Sequence, residues 1–320
     1  MAEQITLEAF APEELGGKRL DQIASIVFSD YSRSCLQDWI RSGALLVDGK
    51  NLRPKDKLFG GEQLSLNAVI EDDGRWEPED IPLDVVYEDD DIVVINKPRD
   101  LVVHPGAGNW TGTLLNGLLF RYPELASVPR AGIVHRLDKD TTGLMVVAKT
   151  LQAQTDLVEQ LQERSVSREY EAVVFGVMSA GGLVDEPIGR HTTNRLKMGV
   201  VIGGKPSITH YRVLERYRGH THIRLQLETG RTHQIRVHMS HLRYPLVGDS
   251  LYAGPPRFPK GATPELVTAL KDFDRQALHA RRLGLVHPVT GDYMEWETEL
   301  PEDFLTLLDV LEQDVQVEID

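Results

Sequence analysis

The chain has 320 residues, 41% of them hydrophobic and 26% charged, a composition that excludes a chain disordered throughout and leaves room for two domains, or one large domain with an attachment. No apolar run approaches a bilayer span, the N-terminus lacks the basic and apolar regions of a signal peptide, and the single cysteine, Cys35, excludes an internal disulfide framework. A reducing cytoplasm is the expected location. The formal net charge of −14 is the wrong sign for a phosphate-rich partner, yet it is unevenly distributed. Residues 71–91 hold eleven acids against Arg75, and residues 295–320 hold ten acids and no base, so these stretches carry −20 and the remainder +6. Residues 187–243 carry eleven Lys and Arg against Glu215 and Glu228 only. Such a stretch is either a nucleic-acid-facing surface or an ordinary solvated basic face.

From the N-terminus, residues 1–15 read as a leading segment. Leu20, Ile23, Ala24 and Val27 then fall at the spacing of one helical face. In a second short helix Ser32 is the candidate N-cap, Leu36, Trp39 and Ile40 repeat the pattern, and Gly43 stands where a left-handed residue closes the helix. Leu45-Leu46-Val47 runs into Asp48-Gly49, a hairpin signal. Residues 16–72 thus form a small two-helix module ending in strands, with Arg33, Arg41, Lys50, Lys55 and Lys57 at polar positions. An acidic, proline-containing linker is expected at 73–81, followed by a second domain at 82–315. There, strand-like runs recur at 91–96, 143–149, 168–176, 208–216, 221–228 and 278–287, with helical stretches at 113–121, 151–164, 232–242 and 301–313. Strand and helix do not alternate regularly. An α+β fold with a mixed, largely antiparallel sheet is therefore expected rather than a doubly wound one.

The segment Gly132-Ile-Val-His-Arg-Leu-Asp-Lys-Asp-Thr-Thr-Gly-Leu144 sets two carboxylates, an imidazole and two cations between apolar runs. The same composition suits a charged hairpin turn. As chemistry, Asp138 and Asp140 could belong to an aspartate-based phosphohydrolase holding Mg²⁺, but His135 and Arg136 interrupt the strand that such a loop needs and Arg136 opposes a divalent ion. A metal-dependent Asp-x-Asp glycosyltransferase is weakened for the same reason. The alternative is a single carboxylate acting, without metal, on an electron-poor sugar carbon.

His135-Arg-Leu-Asp-Lys-Asp-Thr-Thr-Gly-Leu144 resembles the catalytic motif of the RluA family of pseudouridine synthases. Arg168-Glu-Tyr-Glu-Ala-Val-Val174, Leu227-Glu-Thr-Gly-Arg-Thr-His-Gln-Ile-Arg-Val-His238, Pro245-Leu-Val-Gly-Asp-Ser-Leu-Tyr252 and Asn96-Lys-Pro-Arg-Asp-Leu-Val-Val-His-Pro105 agree with it, so the resemblance spans residues 80–315. It implies isomerisation of uridine to pseudouridine with Asp138 as the essential carboxylate, Arg231 as its cationic partner, Tyr170 stacked on the target base, and Arg136 filling the stack that the flipped base leaves. Whether Asp138 is a nucleophile at C1′ or the base that removes the 2′ proton stays open. No atoms enter or leave the base and sugar overall, so no redox cofactor, ATP or metal is expected. The residues 16–72 resemble an S4 RNA-binding domain, with Arg33, Ser34 and Arg41 as RNA contacts, joined in the second domain by His135, His233 and Arg236. His233, His238 and His241 lack the completing ligand of a metal site, and phosphate or ribose contact suits them better. Overall likeness is to the branch acting on large-subunit (23S) ribosomal RNA, free or in an assembling subunit, in the stem-loop facing the decoding region. The expected protein is a monomer without membrane partners. The rival from another class is an RNA-binding ribosome-assembly factor that has kept the fold without needing the chemistry.

Overall fold

A computed structural model describes residues 3–28, 31, 33–70, 76–106, 109–194 and 196–316, and the contacts divide the chain into two compact units, 1–75 and 76–320. In the first unit β1 (Glu3–Phe10), α1 (Leu20–Val27), α2 (Arg33–Ser42), β2 (Leu45–Val47) and β3 (Gln63–Ile70) form a three-stranded sheet in the order β1-β3-β2, with helices on it. Leu20, Ile23 and Ala24 of α1 and Leu36 and Ile40 of α2 are buried against Leu45, Leu64 and Leu66 of the sheet, the helical and strand periodicities meeting in one core. Gly43 (φ +81°) ends α2. Asp48 and Gly49, both at positive φ, turn Val47 back to Lys50. The proposed cap Ser32 lies outside the described residues. Residues 1–15 are not a separate segment, because Glu3–Phe10 pairs antiparallel with all of β3. β1 is an edge strand, held by one neighbour, with Leu7 and Phe10 exposed, so it lacks the inward alternation that marks a half-buried strand.

The second unit is built on nine strands. β4 (Val85–Glu88), β5 (Ile92–Lys97), β6 (Thr142–Ala148), β7 (Ser167–Phe175), β8 (Gly182–Asp185), β11 (Ile208–Arg216), β12 (His220–Leu227), β13 (Leu278–Val286) and β14 (Tyr293–Glu297) form one sheet, in the order β4-β5-β6-β13-β7-β12-β11-β8 with β14 added on β13. Between β8 and β11, β9 (Ile188–Arg190) and β10 (Met198–Val200) make a separate two-stranded hairpin. Every pairing in the large sheet is antiparallel except β6 with β13. The helices are α3 (Leu114–Arg121), α4 (Leu151–Glu163), α5 (Gln234–His241), α6 (Pro264–Asp272) and α7 (Glu302–Gln316). In β5 and β6 the side chains divide by parity. Val93, Ile95, Met145 and Val147 join the core around α3, while Ile92, Val94, Leu144 and Val146 join the one around α4. Both faces are covered, so these strands read as continuous apolar runs.

The expected linker at 73–81 is corrected over its second half. Trp76 and Ile81 pack on the core around α3, Asn116 Nδ2 donates to Glu77 O, and Val85–Glu88 is an edge strand, so from residue 76 the acidic stretch belongs to the second unit. Trp76, Ile81, Leu83 and Val85 pack inward while most of the acids between residues 76 and 91 are exposed, which mean composition does not reveal. The sequence reading also passed over α6, where Thr263 accepts a hydrogen bond from Leu266 N and Pro264 opens the helix. No described helix is long and apolar enough to cross a membrane.

Candidate active site

The polar loop 134–141 leads directly into β6 and is bracketed by two glycines that its path requires. Gly132 (φ +74°) would place a Cβ 1.8 Å from Ala148 O, and Gly143 (φ +112°) would place one 2.3 Å from Ala280 O. Buried donors then hold the loop backbone. Lys97 Nζ donates to Lys139 O at 2.8 Å, Pro98 O at 2.7 Å and Leu101 O at 3.0 Å. Arg275 Nη1 reaches Asp140 O at 3.4 Å while its other nitrogens pair with Asp303, and Gln276 Nε2 donates to Thr141 Oγ1 at 3.0 Å. Burial pulls Lys97 down to about 7, and the Asp140 and Asp138 carboxylates oppose it. Three carbonyl acceptors match the three protons of an ammonium.

Asp138 projects from this support into a cleft of about 870 Å³. Its Oδ2 accepts from Arg236 Nη1 at 3.0 Å, and the rest of that guanidinium clamps the fully buried Asp249 through Nε at 2.7 Å and Nη2 at 2.9 Å. The two carboxylates raise the Arg236 pKa against the effect of burial, so the cation is permanent. The expected Asp138–Arg231 pair is therefore replaced by Asp138–Arg236. Arg231 lines the same cleft, but it is exposed and gives its Nε to Pro206 O at 3.3 Å. The physical reason is the start of α5. His233, at φ +57°, is its N-cap, so His233 and Arg236 lie i, i+3 on one face, whereas Arg231 precedes the helix. Gln234 fixes this entry, accepting from Thr229 Oγ1 and Arg231 N and donating to Ile208 O and Thr209 Oγ1.

Tyr170 of β7 is buried in the cleft wall, where burial raises its pKa, Arg168 opposes that and the Asp138 charge adds to it. Arg136 is exposed at the rim. His135 is corrected from an RNA-facing group to a support. Its Nε2 accepts from Val146 N at 3.0 Å, and burial together with Arg168 drives its pKa down to about 3. In the first unit Arg33 bonds the buried Asp21 at 2.8 Å and Arg41 pairs with Asp38 at 2.7 Å, so both candidate RNA contacts already have acidic partners. The side chain of Ser34 lies outside the described residues.

The basic stretch 187–243 is also less free than its composition suggests. Arg218 pairs with Asp314, Arg224 with Glu169 and Glu171, and Arg216 caps Met178 O and Ser179 O. His238 accepts from Thr209 Oγ1 on one nitrogen and donates to Glu186 O from the other, which leaves no lone pair for a metal. Asp89, Asp91 and His287 are the one group among the described residues close enough to share an ion. They lie outside the cleft, and Asp89 already accepts from Tyr87, His287 and the amides of Asp91 and Ile92. Lys97, Asp249 and Tyr252 carry site functions that the sequence reading did not assign. Each sits in a motif quoted above, and an acid or a lysine among apolar residues, as at 95–97 and 246–249, is the signal that could have marked two of them.

Residues 91–241 match the family of RNA pseudouridylate synthases. A protein of Pseudomonas aeruginosa named ribosomal large subunit pseudouridine synthase D is 61% identical over 98% of both chains. The protein of that name from Escherichia coli K12 is 59% identical over 99% of this chain and 97% of its own. Among solved structures, human RNA pseudouridylate synthase domain containing 4 aligns with a TM-score of 0.57 at 28% identity, covering 72% of this chain and 93% of its own. The chain belongs to the pseudouridine synthases, enzymes that isomerise uridine to pseudouridine in RNA. Within them it is a member of the RluA family, of the same type as these bacterial relatives.

Proposed function

We propose that this enzyme modifies uridines of large-subunit ribosomal RNA in the cytoplasm, in the stem-loop that faces the decoding region, with Asp138 as the group that acts on the ribose. The observation that carries this is one carboxylate, held by the permanent cation Arg236, facing a cleft walled by Tyr170. In the reaction the N1–C1′ bond breaks and a C5–C1′ bond forms, while C5 loses a proton and N1 gains one. A nucleophile at C1′ and a base at C2′ both need an ionised carboxylate, and the guanidinium of Arg236 orients Asp138 and complements its charge. Tyr170 stacks on the extruded uracil, and Arg136 at the rim enters the space it leaves, offsetting an extrusion cost of a few kcal/mol. The 16–72 module, read as S4-like, adds phosphate contacts that orient the RNA. The near-full-length identity to enzymes named for the large subunit supports the substrate class.

The test is release of tritium from C5-labelled uridine in large-subunit RNA, with the unaltered enzyme and Asp138→Asn compared in EDTA. Release by the former alone is expected. Release by neither, on naked RNA and on assembling subunits, would put the assembly-factor reading first.

A further inference from the structure

Tyr252 stands where the β9–β10 hairpin meets the catalytic carboxylate. The amide of Met198, the first residue of β10, donates to Tyr252 Oη at 2.9 Å. The same hydroxyl lies 2.8 Å from His233 Nδ1, and His233 Nε2 faces Asp138 Oδ1 at 3.9 Å. The phenol ring is packed edge-on against the imidazole, with Arg236 over its face at 5.0 Å to the centroid and Lys197 at 5.8 Å.

The chemistry of these atoms gives the chain a direction. An amide N–H can only donate, so Tyr252 Oη accepts from Met198. The phenolic proton then has an acceptor at its other described neighbour only if His233 Nδ1 is unprotonated. The proton of the neutral imidazole is thereby placed on Nε2, facing Asp138. Burial lowers the His233 pKa, Asp138 and Asp249 oppose this, and Arg236 and Arg136 add to it, so the ring is neutral near pH 7. Arg236 addresses Oδ2 of the carboxylate and the imidazole N–H addresses Oδ1. At 3.9 Å the second contact is outside hydrogen-bond range, and a shift of about 1 Å closes it.

We propose that Tyr252 is a positioning residue: it fixes the Nε2–H tautomer of His233, and through the Met198 amide it ties the β9–β10 hairpin to the alignment of Asp138. This rests on the reading that Asp138 acts on the ribose. A relay of this kind ties the hairpin to the chemical step, because Tyr252, which is not among the residues lining the cleft, sets the donor beside the reacting carboxylate.

The experiment uses the full chain with ¹⁵N-labelled histidine, measuring imidazole tautomers by NMR and single-turnover tritium release with saturating RNA. In the unaltered enzyme His233 is expected to show an unprotonated Nδ1 and a protonated Nε2, and addition of a large-subunit stem-loop RNA should move the Nε2–H signal downfield. Tyr252→Phe keeps the ring contacts and removes the hydroxyl. It should lose the tautomer preference and the RNA response, and slow the chemical step by about 10- to 100-fold with RNA affinity changed less than about twofold. A protonated Nδ1 in the unaltered enzyme overturns the proposal whether or not the variant folds. An unchanged rate in Tyr252→Phe beside an inactive Asp138→Asn overturns it alone, whereas activity in Asp138→Asn overturns the reading on which it rests.

Discussion

Replacing Arg236 and Arg231 separately with glutamine distinguishes the carboxylate partner found in the fold from the one that the motif suggested. Arg236 is 9% exposed and bonds both Asp138, 17% exposed, and Asp249, which is fully buried. A hydrogen bond to a charged group contributes about 1.5–3 kcal/mol, so loss of the Asp138 contact should slow single-turnover isomerisation by roughly 10- to 150-fold. Removing one partner of the buried Arg236–Asp249 pair costs about 3–5 kcal/mol. The low end is expected, since the amides of Leu251 and Tyr252 still donate to Asp249 Oδ1 at 3.1 Å each. For a unit of this size about 3 kcal/mol lowers Tm by roughly 6–12 °C. Arg231→Gln removes an exposed side chain, so the chemical step at saturating RNA should change by less than about twofold, while affinity falls and its salt dependence weakens by about one phosphate contact. Tritium release well below the melting temperature, with thermal melts in parallel, measures both effects. A folded Arg236→Gln that reacts at the full rate, or an Arg231→Gln with the larger loss in chemistry, would refute the assignment.

Acid should weaken the second unit before its carboxylates titrate. His220 and His279 are each 1% exposed, and their pKa values are lowered to about 4, chiefly by burial. Between about pH 6.5 and 4 the unfolded chain binds these two protons and the folded chain does not, so stability is full above the unfolded pKa and declines as pH falls. Urea melts at several pH values should show stability rising with pH between about pH 4.5 and 6, with His220 and His279 each adding up to about 1.4 kcal/mol per pH unit, and His279→Gln should lower the slope by that amount; a flat profile contradicts the burial argument. Gly143→Ala would force a Cβ to 2.3 Å from Ala280 O at φ +112°, displacing the junction of the 134–141 loop with β6. At least tenfold loss of turnover is expected, with RNA binding retained; unaltered turnover would show that the loop tolerates the shift.

Local chemistry made much of the protein legible. Runs such as 91–96 and 143–149 read as strands because burial on both faces makes their central positions apolar, and the missing strand–helix alternation indicated an antiparallel sheet. β1 and β4 were not legible as strands. The first is an edge with exposed side chains, and the second is a four-residue edge strand, Val-Val-Tyr-Glu, set inside an acidic stretch. At the site, Asp138, Tyr170 and Arg136 could be placed from motif resemblance, and all three line the cleft. The arginine partner could not, because Arg231 and Arg236 share one motif and only the point where α5 begins decides which of them turns inward.

The sequence by itself determined the family and the sheet class and singled out the Asp138 carboxylate, since these depend on residue types and spacings within short segments. Tertiary structure decided which charges are free. Arg33, Arg41, Arg218, Arg224 and Arg236 are all basic by composition, yet Asp21, Asp38, Asp314, Glu171 and Asp249 meet them within the fold, Asp314 and Glu171 from distant parts of the chain. Pairing energy depends on distance in space and on burial, and neither is a property of one segment.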